Sequence, residues 1–205
     1  MTGSLRIGVI MGSVREGRLC DRVTAWVVRT LHGEDGLRFR VIDPRTALAA
    51  VESGADASTM ALRQRLAGMD GFIVVTPEYN HSFPAALKQL IDSAYDEWQT
   101  RPVGFVSYGA MSGGIRAVEQ LRQVFAELHS VTLRDGVILT DIWNRFDDLG
   151  ELVDSGRVDA ALHRMVSRLR WWARATREAR LREPYEQPAE GARIKRSLAR
   201  GSEWT

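Results

Sequence analysis

The sequence predicts an α/β fold, with a five-stranded parallel sheet between two layers of helices in a three-layer, doubly wound arrangement. Short apolar segments alternate with segments whose apolar residues recur at helical spacing, in the order β-α-β-α-β-α-β-α-β-α. The apolar segments are nearly continuous, as in strands buried on both faces. The composition, 44% hydrophobic and 26% charged residues, is typical of a globular chain, and 205 residues suit one domain with a short appendage.

The first strand is predicted at Leu5–Met11, followed by a helix whose apolar residues are spaced three and four apart. That helix would bury Val23, Trp26, Val27 and Leu31. The second strand is predicted at 37–42 and is closed by Asp43-Pro44. Residues 44–57 are rich in alanine without a clear period, and we predict a loop there.

A short helix is predicted from Ser58, as its cap, to about Ala67, and the third strand at 71–76. The next helix has Pro84 in its first turn, where the missing N–H costs nothing. Its predicted apolar face comprises Leu87, Leu90, Ile91, Ala94, Tyr95 and Trp98.

The fourth strand is predicted at 103–108, and a helix begins at Gly114. The fifth strand comprises 131–133 and 136–139, with a bulge predicted between them. Irregular chain at 141–157 precedes a long final helix, whose stripe is Val158, Leu162, Met165, Leu169 and Trp172. We therefore predict a domain at 1–182 and a tail at 183–205 that lacks a core of its own.

The loop after the first strand, residues 12–18, has the composition of a phosphate site. Gly12 permits a sharp exit from the strand, Ser13 offers a hydroxyl, and Arg15 and Arg18 offer guanidinium donors. The following helix would direct its N-terminal N–H groups at the same place. The segment matches neither the Walker A nor the dinucleotide-binding glycine pattern, and a plain strand-to-helix turn is the alternative.

The loop after the third strand, residues 77–84, has the composition of a site for a planar ring. Pro77 and Pro84 stiffen its ends, Tyr79 offers a flat surface, and Asn80 offers donors. Because the carboxyl ends of parallel strands meet at one edge of a sheet, the two loops together predict a flavin nucleotide.

A third loop, residues 107–114, follows the fourth strand beside the same crevice. Its glycines would let the backbone approach a ring edge, although a plain glycine-rich turn is the alternative.

In the second loop, His81 is either a proton donor to a reduced acceptor or a packed or exposed histidine. Glu78 is either a base or a partner of the main chain.

Together these segments resemble the NADPH-dependent FMN reductase family of flavodoxin-like quinone, chromate and azo reductases. The resemblance covers about residues 5–140. It rests on Gly12-Ser13-x-Arg15-x-Gly17-Arg18, on Pro77-Glu78-Tyr79-Asn80-His81-Ser82 with Pro84-Ala85-Ala86-Leu87-Lys88, and on Ser107-Tyr108-Gly109 with Gly113-Gly114.

The resemblance implies a sheet of strand order 2-1-3-4-5 and FMN as cofactor. Hydride would pass from NADPH or NADH to flavin N5, and electrons then to a quinone, azo compound, metal oxyanion or free flavin. No catalytic side chain is predicted, because the flavin carries the chemistry. The implied FMN-binding residues are Ser13, Arg15 and Arg18 for the phosphate, and Pro77, Glu78, Tyr79, Asn80, Ser107, Tyr108 and Gly109 near the ring.

The resemblance also implies a homodimer or a dimer of dimers, with its site near the subunit interface. The helix after Pro84, with Tyr95 and Trp98, would be the interface element; a buried structural helix is the alternative. An FMN-binding electron carrier or sensor without reductase turnover is an alternative function, as is a protein that binds another phosphorylated ligand. Carriers of this kind are typically strongly acidic, whereas the isoelectric point here is near 9.0.

Charge and cysteine usage argue against several other classes of protein. Cys20 is the single cysteine, and the four histidines lack metal-ligand spacing, so neither a disulfide framework nor a metal site is predicted. No run reaches the roughly 18 apolar residues of a membrane helix, and the first residues do not resemble a signal peptide. We expect a cytoplasmic protein without membrane or nucleic-acid partners. The arginine-rich segment 157–205 either attracts anionic partners or forms a solvated face.

Overall fold

A computed structural model of the chain describes residues 3–52 and 56–185. Five parallel strands form one sheet in the order β2-β1-β3-β4-β5, which confirms the predicted fold class and strand order. The strands are β1 (Leu5–Met11), β2 (Leu37–Ile42), β3 (Gly71–Pro77), β4 (Pro102–Tyr108) and β5 (Val131–Leu139).

Helices cover both faces of this sheet and complete the three layers. They are α1 (Cys20–Thr30), α2 (Pro44–Glu52), α3 (Asp56–Ala67), α4 (Ala85–Asp92), α5 (Ile115–Glu127) and α6 (Gly156–Arg182). Helices α1 and α6 pack on one face, and α2 to α5 pack on the other. Each face therefore has its own apolar core, and the sheet separates the two.

The central strand β3 and its neighbour β4 are the most buried strands of the sheet. All seven residues of β3 and all seven of β4 are buried, because helices cover both faces. The edge strand β2 has exposed Arg38 and Arg40 between its buried ends. Strand β5 is continuous, but its register with β4 shifts between Val103 and Phe105. This shift confirms the predicted bulge.

Helix α2 contradicts the loop predicted for 44–57. Asp43 caps it, since its carboxylate accepts a 2.9 Å hydrogen bond from the Arg45 amide, and Pro44 occupies the first helical position. Buried Ala47 and Leu48 hold it against the core. The Asp-Pro pair was a helix start as well as a strand end, and alanine is the strongest helix former.

Helix α4 ends at Asp92, earlier than its apolar pattern predicted. Trp98 lies beyond the helix and is fully buried, with its indole N–H bonded to the Ile91 carbonyl at 2.9 Å. Its ring packs against Phe72 and Phe125 at centroid distances of 4.8 and 5.7 Å. Trp98 is therefore a core residue, as in the alternative interpretation of this segment.

The remaining differences lie at the ends of helices. Helix α3 begins at Asp56, before the predicted Ser58, and α6 runs from Gly156 to Arg182 with Trp172 partly exposed at the end of the predicted stripe. In the described residues no helix is long and apolar enough to span a membrane. Most of the predicted tail, from residue 186 onward, lies outside them.

Candidate functional site

A cavity of about 600 Å³ opens at the carboxyl ends of β1, β3 and β4. We call it the loop cavity, because its walls are the loops 12–18, 77–84 and 107–114 together with residues after β5. Seven of the ten predicted site residues line it: Arg15, Arg18, Pro77, Glu78, Tyr79, Tyr108 and Gly109. The other three, Ser13, Asn80 and Ser107, do not line it directly. Its volume is in the usual range for a small-molecule site, about 300–1,000 Å³.

Gly12 lets the first loop leave the sheet without losing contact with β3. Its N–H donates to the Val75 carbonyl at 2.7 Å, and an added Cβ would come within 2.9 Å of that oxygen. The next residue, Ser13, is fully buried, and its hydroxyl lies 2.7 Å from the Tyr79 hydroxyl. The first and second loops are thus joined directly by two predicted site residues.

Arg18 fixes the base of the first loop from inside the protein. Its guanidinium donates to both carboxylate oxygens of Asp43, to Asp21 and to the Ser13 carbonyl. The hydrogen bonds with Asp43 raise the pKa of Arg18 above its usual value, although burial opposes this. Most of its donors therefore already have protein acceptors.

Arg15, in the same loop, differs from Arg18 because its guanidinium group forms no ion pair in the described residues. Its guanidinium carbon lies 3.5 Å from the centroid of the Tyr79 ring, a cation–π contact. In the described part of the chain Arg15 has no carboxylate partner, and the backbone amides of Glu16 and Gly17 have no hydrogen-bond acceptor. The rim of the first loop therefore presents free donors to the cavity.

The second loop reverses direction in a tight turn. Tyr79 and Ser82 exchange backbone hydrogen bonds of 2.8 and 3.1 Å, and the two residues between them, Asn80 and His81, have positive φ values of 49° and 72°. Asparagine tolerates this left-handed conformation better than most residues. The His81 side chain is exposed and does not line the cavity, so the structure gives no support to a proton-donor role.

Glu78 connects the second loop to the third. Its carboxylate accepts hydrogen bonds from the Ser112 hydroxyl at 3.0 Å, from the Arg116 amide at 3.2 Å and from the Arg116 guanidinium at 2.7 Å. Burial opposes ionisation, but these bonds outweigh it and hold the pKa of Glu78 below its usual value. An ionised carboxylate that accepts three hydrogen bonds is a positioning group and a poor base, and two of its three donors are side chains rather than main chain.

The third loop brings main chain to the edge of the cavity. Gly114 has φ 85°, and an added Cβ would lie 2.9 Å from the Ser107 Cβ and 3.0 Å from the Tyr108 amide. Behind it, the buried hydroxyl of Ser107 has no hydrogen-bond partner in the described residues. The Tyr108 side chain is buried, and this burial raises the pKa of its hydroxyl, which stays protonated.

Nine lining residues were not among the ten predicted site residues: Glu16, Gly17, Leu19, Ala110, Met111, Ser112, Arg116, Ile142 and Trp143. Met111 and Trp143 are 93% and 65% exposed, so they add apolar surface to the mouth of the cavity. Ser112 lies in the glycine-rich loop and Arg116 in the first turn of α5, where both are near enough in sequence to the third loop to be suspected as partners for Glu78. Ile142 and Trp143 lie in a short 3₁₀ turn within the segment predicted to be irregular, which carried no signal.

Comparisons with known proteins agree with this geometry. The family model described as NADPH-dependent FMN reductase matches residues 5–144. An NAD(P)H-dependent FMN reductase of Schizosaccharomyces pombe is 36% identical over 130 residues, which are 58% of this chain; the chain spans 64% of that relative's length. The quinone reductase of Escherichia coli is 29% identical over 180 residues, covering 78% of this chain and 90% of that protein.

Among solved structures, the flavoenzyme NAD(P)H:(acceptor) oxidoreductase FerB of Paracoccus denitrificans has a similar fold. The TM-score is 0.67 at 19% identity, and the match covers 83% of this chain and 98% of FerB.

Proposed function

The chain belongs to the NADPH-dependent FMN reductase family, and from that premise we propose that its loop cavity holds FMN and receives NADPH or NADH and then an electron acceptor. The reaction class is that of an FMN-dependent NAD(P)H oxidoreductase. The acceptors proposed are a quinone, an azo compound, a metal oxyanion or free flavin. One observation carries the proposal: the same cavity contains unpaired hydrogen-bond donors that suit a phosphate and a space large enough for a flavin ring.

The first loop fits the phosphate of FMN. Among the described residues Arg15 has no carboxylate partner, and the backbone amides of Glu16 and Gly17, at the rim of the cavity, have no hydrogen-bond acceptor. Phosphate oxygens accept hydrogen bonds from such amides and from guanidinium groups. Ser13 and Arg18 remain predicted phosphate residues, and the bonds of Arg18 to Asp43 support a role in shaping the loop.

The second and third loops fit the ring of the flavin. Pro77 and Tyr79 form one wall, and Gly109 leaves the backbone open on the other. The buried Ser107 hydroxyl lacks a partner in the described part of the chain, and its donor and acceptor capacity supports a polar group nearby. Asn80, in the turn beside them, remains a predicted ring contact.

When bound, FMN supplies the redox chemistry by accepting hydride from the nicotinamide and passing electrons to the acceptor. The protein's residues position the reactants. Glu78, held by Ser112 and Arg116, fixes the second loop against the third. Met111 and Trp143 provide apolar surface at the mouth, suited to flat acceptors and to the exclusion of water.

The test is a visible spectrum of the purified protein with FMN, recorded before and after anaerobic NADPH. We expect bound flavin absorbance that bleaches on addition of the nucleotide, with NADH run in parallel to settle the preference. Bound flavin that neither nucleotide bleaches would indicate a carrier or sensor. No bound flavin would contradict the assignment of the cavity.

The family resemblance also supports a homodimer or dimer of dimers, and exposed Met111 and Trp143 at the mouth support an interface near the cavity. Sedimentation equilibrium of the FMN-loaded protein tests this, and a monomer would overturn it. We propose a cytoplasmic location, because reduced nicotinamide nucleotides are supplied inside cells. We also propose one domain at 1–182, which ends with α6, followed by a tail at 183–205.

A further inference from the structure

A second cavity, of about 590 Å³, lies against the edge strand β2 and is lined by four arginines. We call it the arginine cavity; its arginines are Arg6, Arg38, Arg40 and Arg65. They come from three elements, since Arg6 is on β1, Arg38 and Arg40 are on β2, and Arg65 is on α3. We propose that this cavity binds a compact polyphosphate anion, of the diphosphate or triphosphate type.

The register of the sheet places three of the four side chains on one face. Arg6 pairs with Arg38, and Gly8 pairs with Arg40, in the parallel ladder of β1 and β2. Registered neighbours point to the same face, as do residues two apart on one strand. Helix α3 packs on that face and adds Arg65. The four positive groups therefore converge on one space although they are distant in sequence.

These four guanidinium groups are uncompensated within the part of the chain that the structure describes. No Asp or Glu lines the cavity, and none of the four side chains forms a hydrogen bond or an ion pair there. Asp70, whose carboxylate accepts from the Arg6 amide, faces Arg177 and Arg180 at 3.6 and 3.8 Å. This buried carboxylate is thus shared with two other arginines.

Backbone acceptors at the end of α3 are also occupied. Arg101 donates to the carbonyls of Ala67 and Met69, each at 3.3 Å, and the Gln64 carbonyl accepts from the Gly68 amide at 3.1 Å. Gly68 lies beside Arg6, since an added Cβ would be 3.8 Å from the Arg6 Nη1. The free donors of the cavity therefore exceed its free acceptors.

A charged edge strand by itself would discourage pairing between sheets, and that role suits Arg38 and Arg40. It does not account for Arg6, which lies on an interior strand, or for Arg65, which lies on a helix. The volume suits a small molecule, and six of the nine lining residues are polar or glycine. Guanidinium groups pair with phosphate oxygens in bidentate geometry, and several phosphates match several arginines.

Calorimetric titration of the FMN-loaded protein at low ionic strength tests the proposal, with tripolyphosphate and magnesium-free ATP as probes. We expect binding of at least one probe, weakened tenfold or more by the double substitution Arg38→Gln/Arg40→Gln. Similar affinity for both probes identifies the phosphates as the recognised group. Binding of ATP alone assigns a nucleotide, and binding of tripolyphosphate alone assigns an inorganic source; all three results support the site.

The matched control is Arg164→Gln/Arg168→Gln, which removes the same charge from exposed positions on α6, across the sheet. We expect less than a twofold change in affinity. Arg65→Gln, on a different element from the double variant, should weaken binding at least fivefold and serves if the β2 variant does not fold. Thermal unfolding and FMN content confirm that each variant is native.

Four results would overturn the proposal. The first is that neither probe binds, and the second is that the α6 control weakens binding as much as the β2 variant does. The third is that Arg15→Ala abolishes binding, which would locate the anion in the loop cavity. A DNA duplex that binds more tightly than either probe, with the same loss in the β2 variant, would assign the surface to nucleic acid instead.

Discussion

Arginine lines both cavities of this protein, but its partners differ between them. In the loop cavity, Arg18 is bonded to Asp43 and Arg116 to Glu78, and only Arg15 lacks a carboxylate in the described residues. In the arginine cavity, none of the four has one. Paired arginines set the shape of a site, whereas unpaired arginines are available to a ligand. Removing a paired arginine should cost folding stability, and removing an unpaired one should cost mainly affinity.

Arg18→Met should have the largest effect on stability. The substitution leaves the Asp43 carboxylate, which is 22% exposed, without its cation. We expect the free energy of unfolding to fall by about 2–3 kcal/mol, somewhat below the cost of breaking a fully buried pair. Urea denaturation measures it, with Arg22→Met as control. Arg22 is exposed one turn away and should change stability by no more than about 0.5 kcal/mol. Unchanged stability with weaker FMN binding would make Arg18 a ligand residue and break the comparison.

Arg15→Ala should have the opposite effect, a loss of FMN affinity with little loss of stability. Loss of a charge-assisted bond to phosphate should weaken FMN binding by about tenfold or more, because such bonds contribute about 1.5–3 kcal/mol. Stability should change little, since Arg15 is exposed. Quenching of FMN fluorescence measures the affinity, and Arg168→Ala on α6 controls for net charge. If FMN affinity is unchanged, the phosphate assignment is wrong.

Glu78→Gln should have the smallest effect, and the effect should depend on pH. The folded-state pKa of Glu78 is lowered, so its stabilisation is present above the unfolded pKa, near 4.5, and is lost as pH falls through the folded value. We expect the variant to be less stable by about 1 kcal/mol at pH 7 and the difference to shrink below about pH 4.5. Melting temperatures of both proteins from pH 3 to 7 measure it. A difference independent of pH would mean that the Arg116 pair contributes nothing as a charge pair.

The sequence predicted the sheet well because its strands are continuous apolar runs. The bounds of β1 and β2 agree with the prediction, and the bulge in β5 was visible as a polar interruption. Helix α2 was missed because its apolar face is small, while its start signal, Asp43-Pro44, also reads as a strand end. Trp98 fitted the helical spacing of α4, although Ser93 ends that helix.

Site residues were predicted where they follow strands, since those positions meet at one edge of the sheet. Which of them are already bonded could not be predicted. The partners of Arg18 come from α1 and from the end of β2, and Asp43 lies 25 residues away in sequence. The arginine cavity was equally hidden. Arg6 and Arg65 look like ordinary surface residues until the register of β1 and β2 and the packing of α3 bring them together.

The strand order also has a consequence for synthesis of the chain. Strand β1 lies between β2 and β3, so one side of it has no partner until β3 has been made, about 60 residues later. At about 5–20 residues per second, translation leaves that apolar edge open for roughly 3–12 s. An open apolar strand is a template for association with other nascent chains. The segment at risk on the ribosome is therefore Leu5–Met11, which in the folded protein is among the best protected.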